Sequence, residues 1–137
     1  MHTENYYIQK IELLKHQCLK YVCLENMYLK EITSYIRSHL ANTQNKKQYK
    51  LVLYDLKKYA DGSISKKEFM SKNDFIRTNP TATACVRVYK QSYQLRNTKS
   101  IEKKNWIKLY SKEYPNQTKY SYCDEELPSG LLGENDD

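Results

Sequence analysis

Residues 87–120 interleave cations with aromatic rings. Arg87, Lys90, Arg96, Lys99, Lys103, Lys104, Lys108, Lys112 and Lys119 stand among Tyr89, Tyr93, Trp106, Tyr110, Tyr114 and Tyr120. Together these types suit one kind of chemistry. Ammonium and guanidinium groups displace counterions from a phosphate backbone, which gives a salt-sensitive, largely sequence-independent attraction. Exposed rings stack on unpaired bases. On a helix, Lys104, Lys108 and Lys112 fall at i, i+4 and i+8 and share a stripe, with Trp106, Leu109 and Tyr110 directed roughly the other way, toward a core. A solvated lysine face over an aromatic core is the competing account. Lysine far outnumbers arginine, the usual reader of guanine edges, so base-specific recognition is the less favoured form of binding.

A second basic cluster comprises Lys57, Lys58, Lys66, Lys67, Lys72 and Arg77. Inside it, Asp61-Gly62-Ser63-Ile64 with Glu68 copies the back half of a calcium-binding loop. The front half fails, because Lys57 and Tyr59 stand where loop positions 1 and 3 need oxygen ligands. Two short helices at a tight turn also fit a helix-turn-helix reader, a pattern too common to specify one.

Metal and catalytic chemistry find less support. His16, Cys18 and Cys23 make one loose cluster, whereas a zinc site usually shows two spaced ligand pairs. His39, Cys85 or Cys123 could complete it only through folding, and thiols also serve as small core residues. There is no nucleophile elbow, phosphate-binding glycine loop or metal-hydrolase signature, and three glycines leave no room for a cradle of backbone amides. His16 and Cys18, two apart on a helix, diverge. The sequence therefore predicts no catalytic residue, no metal and no cofactor.

The elements that must position the cations read as helices. Residues 4–41 carry Ile11, Leu14, Cys18, Tyr21, Tyr28, Ile32 and Tyr35 on one stripe, capped by Thr3. Glu25 interrupts that stripe and predicts a break near Glu25-Asn26. Residues 46–60 form the next helix, with Tyr49, Val52, Leu53 and Leu56 inward and Gly62 just past its end. Ser65 and Glu68 make a capping box, with Ile64 and Phe69 placed as its hydrophobic staple, so a helical hairpin resumes over Lys66–Arg77. Asn79-Pro80 ends it. Residues 81–95 lean to helix, although Cys85-Val86-Arg87-Val88-Tyr89 also suits a strand. Ser100 can cap a last helix, Ile101–Lys112, which stops before Pro115.

Charge is sorted along the chain. Residues 1–45 carry +1, residues 46–120 carry eighteen Lys/Arg against six acids, and residues 121–137 carry six acids and no base. The whole chain is +7. This asymmetry points to a polyanion partner. Fourteen Tyr in 137 residues suit a thin core or an aromatic binding surface. The richness in Lys, Asn, Tyr and Ile resembles an AT-rich coding source such as a phage, virus or mobile element. No apolar run is long enough to span a membrane, and the first residues lack the pattern of a signal peptide.

The expectation is a mainly α protein: a single small helical domain over 1–120, with four to six helices, a near-neutral part over 1–45, a basic part over 46–120 and a short β segment near 84–90 as the alternative. Residues 121–137 are expected to form an acidic flexible tail. The function expected is non-enzymatic binding of DNA or RNA phosphates through Lys57, Lys58, Arg87, Arg96, Lys99, Lys103, Lys104, Lys108 and Lys112. The alternative is a small interaction module, inhibitor, adaptor or assembly factor, that binds an acidic protein. The expected location is intracellular (cytoplasmic, or nuclear in a eukaryote), with no membrane partner. The apolar stripe of the first helix is long enough to support a homodimer, and it is equally suited to packing within the chain.

Overall fold

A computed structural model describes residues 2–40, 46–117 and 120. These residues form five helices and no strand: α1 (Glu4–Leu40), α2 (Lys46–Asp61), α3 (Lys66–Lys72), α4 (Asp74–Arg77) and α5 (Pro80–Glu113). The predicted acidic tail lies outside the described residues.

α1 and α5 have 37 and 34 residues, each about 50–55 Å long at 1.5 Å per residue. They pair antiparallel over most of that length. Tyr110 near the end of α5 donates to Glu4 at the start of α1 at 3.0 Å. Arg96 meets Glu25 in the middle. Thr81 and Ala82 face Ser34 and Ser38 at the opposite end.

α1 begins as expected, with the Tyr6 amide donating to Thr3 Oγ1 at 3.2 Å. It does not break at Glu25. Glu25 is fully buried on the same face as Cys18, Val22, Leu29 and Ile32, because α5 supplies a cation for it. A charge in the stripe is here an internal pair, and the helix has no reason to stop.

α5 is likewise unbroken. Ser100 lies in its interior, since Ser92, Arg96, Lys99, Lys103, Ile107 and Tyr110 keep three- and four-residue steps across it. The β alternative for 84–90 is excluded by the same packing: Val86 and Tyr89 bury on one helical face. Asn79 starts this helix instead of only ending the previous one. Its Oδ1 accepts from the amides of Thr81 and Ala82 at 3.0 and 3.1 Å, and Pro80 occupies the first turn, where its missing N–H costs nothing.

The segment expected as one helix over Lys66–Arg77 splits at Asn73. The Asn73 side chain is buried and donates to the Phe69 carbonyl at 2.9 Å, which closes α3 and lets the chain turn into α4. The capping box holds as expected: Ser65 Oγ accepts from the Glu68 amide at 3.1 Å. Ile64 and Phe69 both pack into the core.

Two cores result. The larger gathers Leu29, Ile32 and Ile36 of α1, Val52, Leu56 and Tyr59 of α2, Phe69, Ile76, and Val86 and Tyr89 of α5. The smaller, at the other end of the α1/α5 pair, joins Tyr7 and Ile11 to Ile107, Tyr110 and Tyr120. Between them the two long helices form an arm without a third helix. None of the helices is long and apolar enough to cross a membrane among the described residues.

Candidate polyanion-binding surface

The lysine row expected on α5 is divided by the fold. Arg96 and Lys103 face α1. The Arg96 Nε donates to Glu25 Oε1 at 2.8 Å, and its guanidinium also lies 5.1 Å from the Tyr93 ring centre. Lys103 is only 7% exposed. Lys99 is half-buried and paired with Glu102 at 3.4 Å. Lys104 is half-buried too. Only Arg87, Lys108 and Lys112 of the predicted α5 set are exposed. Arg87 and Lys108 are about 31 Å apart along the helix, so no continuous cationic stripe runs down α5. The physical reason is geometric: Arg96, Lys99, Lys103, Ile107 and Tyr110 share the inward face. Leu109, expected inward, is 48% exposed.

A tighter patch lies on α2. Its core face is Val52, Leu56, Tyr59 and Ala60. The opposite face carries exposed Lys47, Lys50, Leu51 and Tyr54, with half-buried Lys57 and Lys58 beside them, at helical spacing. Lys47, Lys50, Leu51 and Tyr54 line one shallow open hollow. Tyr54 is 56% exposed, with the Lys58 ammonium 4.6 Å from its ring centre. Its hydrogen bond to Tyr54 moves Lys58 above the ordinary lysine value, so it is charged throughout the physiological range. Asp61, at the end of the same face, accepts from the Ser63 amide at 2.8 Å, and Asp55 and Glu68 lie near enough to Lys58 to add to its rise.

Lys57 and Lys58 were legible in the sequence as a cluster. Lys47 and Lys50 fall outside that cluster, although their i, i+3 and i+4 relation to Leu51 and Tyr54 is in the sequence. The signal was the reverse of an ordinary amphipathic pattern, with an aromatic and a leucine left on the charged face.

Cys18 is buried and Cys23 exposed, and both are free, as is Cys85. No group of three or more His, Cys, Asp or Glu side chains is placed to hold a metal ion among the described residues. Burial pushes the Cys18 thiol up, against the pull of Lys103, Arg96 and Lys99, so it is held as a neutral core residue.

No protein-family model, curated protein or solved structure matches this chain.

Proposed function

We propose that this is a non-enzymatic nucleic-acid-binding protein that grips phosphates through the outer face of α2. The observation that carries the reading is the grouping of Lys47, Lys50, Lys57 and Lys58 around a largely exposed Tyr54 on a single helical face. Four ammonium groups over about 17 Å can follow a backbone. A tyrosine standing out among them offers a stacking platform, so single strands fit better than duplex. Lysine in place of arginine makes the contact tolerant of sequence.

Fluorescence anisotropy with random single-stranded DNA and RNA, titrated with salt, tests the reading. Binding should weaken with salt with a log–log slope of about −0.7 per phosphate neutralised, so near −3 for the four lysines. Lys47→Ala/Lys50→Ala/Lys58→Ala should flatten that slope. Tyr54→Ala should cost about 1–3 kcal/mol. Lys108→Ala/Lys112→Ala should change little. No binding at low salt would remove the proposal.

Leu51 favours a second reading. At 48% exposed it adds nothing to phosphate binding, but it would anchor an acidic protein segment with an apolar residue of its own. Tight, salt-sensitive binding of one acidic protein without nucleic-acid affinity would select that alternative.

A further inference from the structure

At the end of the α1/α5 pair near α4, α2 covers one side. The Arg37 guanidinium lies 5.1 Å from the Tyr49 ring centre and the Lys90 ammonium 4.1 Å from that of Tyr59. The opposite side is closed at this end by Phe75, stacked on Tyr35 and His39. Farther along the arm the α2 side continues without cover. Glu12, Leu19 and Arg37 fall within about 20° of one another around α1, and Lys90, Ile101 and Lys108 within about 20° around α5. Leu19 and Ile101 are 48% and 61% exposed, and Ile101 is the most exposed large apolar side chain among the described residues. The Arg96–Glu25 contact sets their register. Leu19 lies six positions before Glu25 and Ile101 five after Arg96, so the two stand at about one height on one side. The uncovered stretch ends at Tyr120, whose hydroxyl donates to Glu12 and whose ring packs on Tyr110 in the smaller core. One side of the arm thus carries α2 at one end and Tyr120 at the other, with Leu19 and Ile101 bare between them.

We infer that residues 121–137 run back along the arm on this side as a strap and close the gap between Tyr120 and α2. The starting point selects them, because Tyr120 is already seated on the strip and they follow it directly. Reach agrees. Leu19 lies about 10 Å beyond Glu12 along α1, and the whole gap from Lys108 to Lys90 is about 27 Å along α5. Seven residues extend to about 24 Å and seventeen to about 58 Å. Leu127 therefore reaches Leu19 and Ile101 with slack, and Leu131 and Leu132 reach the rest of the gap. Charge agrees as well. Exposed Lys15 and Lys108 and half-buried Lys104 flank the strip. The segment holds six acids and no base, and Asp124, Glu125 and Glu126 come immediately before Leu127. Tethering raises the effective concentration of such a segment to about the millimolar range, so a contact of a few leucines suffices. The lysine face of α2 points away from the arm, so the inference does not depend on that face binding nucleic acid.

Amide proton–nitrogen correlation spectra of the full chain test it. Leu127→Ser/Leu131→Ser/Leu132→Ser should shift amides around Leu19 and Ile101 besides those near the substituted sites, and leave Lys47–Lys58 unmoved. Leu19→Ser/Ile101→Ser should in turn move the amides of residues 121–137 to the positions they take in a synthetic peptide of that sequence. Helical circular dichroism should be retained in both variants, and if the second loses it, the first decides alone. Salt at about 0.5 M, where the Debye length is about 4 Å, should move the same amides part of the way. No change on α1 and α5 in the first variant would overturn the inference. So would changes confined to Lys47–Tyr54, which would seat the segment on the α2 lysines. Changes that grow with protein concentration would overturn it too, because they would place the segment on a second copy.

Discussion

The Arg96 Nε lies 2.8 Å from Glu25 Oε1 across 71 positions of sequence, at the middle of the α1/α5 arm. The carboxylate is fully buried, and its Oε2 has no hydrogen-bond partner. Burial raises the Glu25 carboxyl above its ordinary value, and the Arg96 hydrogen bond and charge oppose that rise. The pair therefore ties two long helices in register at a place where no third helix packs. Removing one partner strands the other. Arg96→Met should cost about 3–5 kcal/mol, whereas Glu25→Leu/Arg96→Met should be nearly neutral or stabilising. Urea unfolding of the two variants measures the difference. Equal destabilisation by both would show that the pair contributes more than mutual compensation.

The same carboxyl sets a pH dependence. A folded-state value above the unfolded one means that the native protein holds the proton more tightly. The contribution of Glu25 is then fullest below the ordinary 4.5 and is lost as pH rises through the raised folded value. Without Arg96 only burial remains, so the window widens upward. The penalty of Arg96→Met should shrink as pH falls from neutrality toward the ordinary carboxyl range. In a Glu25→Gln background it should not vary over that window. Urea midpoints measured as a function of pH check both.

The turn between α2 and α3 rests on two local devices. Gly62 has φ of 86°, and a methyl group there would meet no atom within 4 Å. Gly62→Ala should therefore cost only the backbone term, about 1–2 kcal/mol. Ser65→Ala removes the acceptor for the Glu68 amide and should cost about 1 kcal/mol. The sites lie close together, so the double variant need not be additive. Thermal unfolding followed by circular dichroism reads all three.

Thiol reactivity should follow burial. Cys23 is exposed, and Cys18 is 1% exposed. Burial raises the Cys85 thiol, and Glu31 adds to the rise. Alkylation with iodoacetamide in native buffer, followed by peptide mass spectrometry, should modify Cys23 first and Cys18 only on unfolding. Early loss of free Cys18 would mean that the arm opens readily.

Much of this molecule was determined locally. The helical period of Ile11, Leu14, Cys18 and Ile32, the Ser65 cap with its Ile64–Phe69 staple, and the turn at Gly62 depend on neighbours within a few residues, so the sequence alone carries them. Only tertiary structure decided which charges face water. Glu25 reads as an interruption until Arg96 arrives from 71 positions away, and Ser100 reads as a start until Lys103 and Ile107 are seen to continue the face of Arg96. The lysines of α5 form a row in sequence, but a helix has one inward face, and docking on α1 turned Arg96 and Lys103 into it. α2 has only its far side left for solvent, and that is where the cations around Tyr54 remain together. Spacing fixes which residues share a face; the packing of one helix on another fixes which face is free.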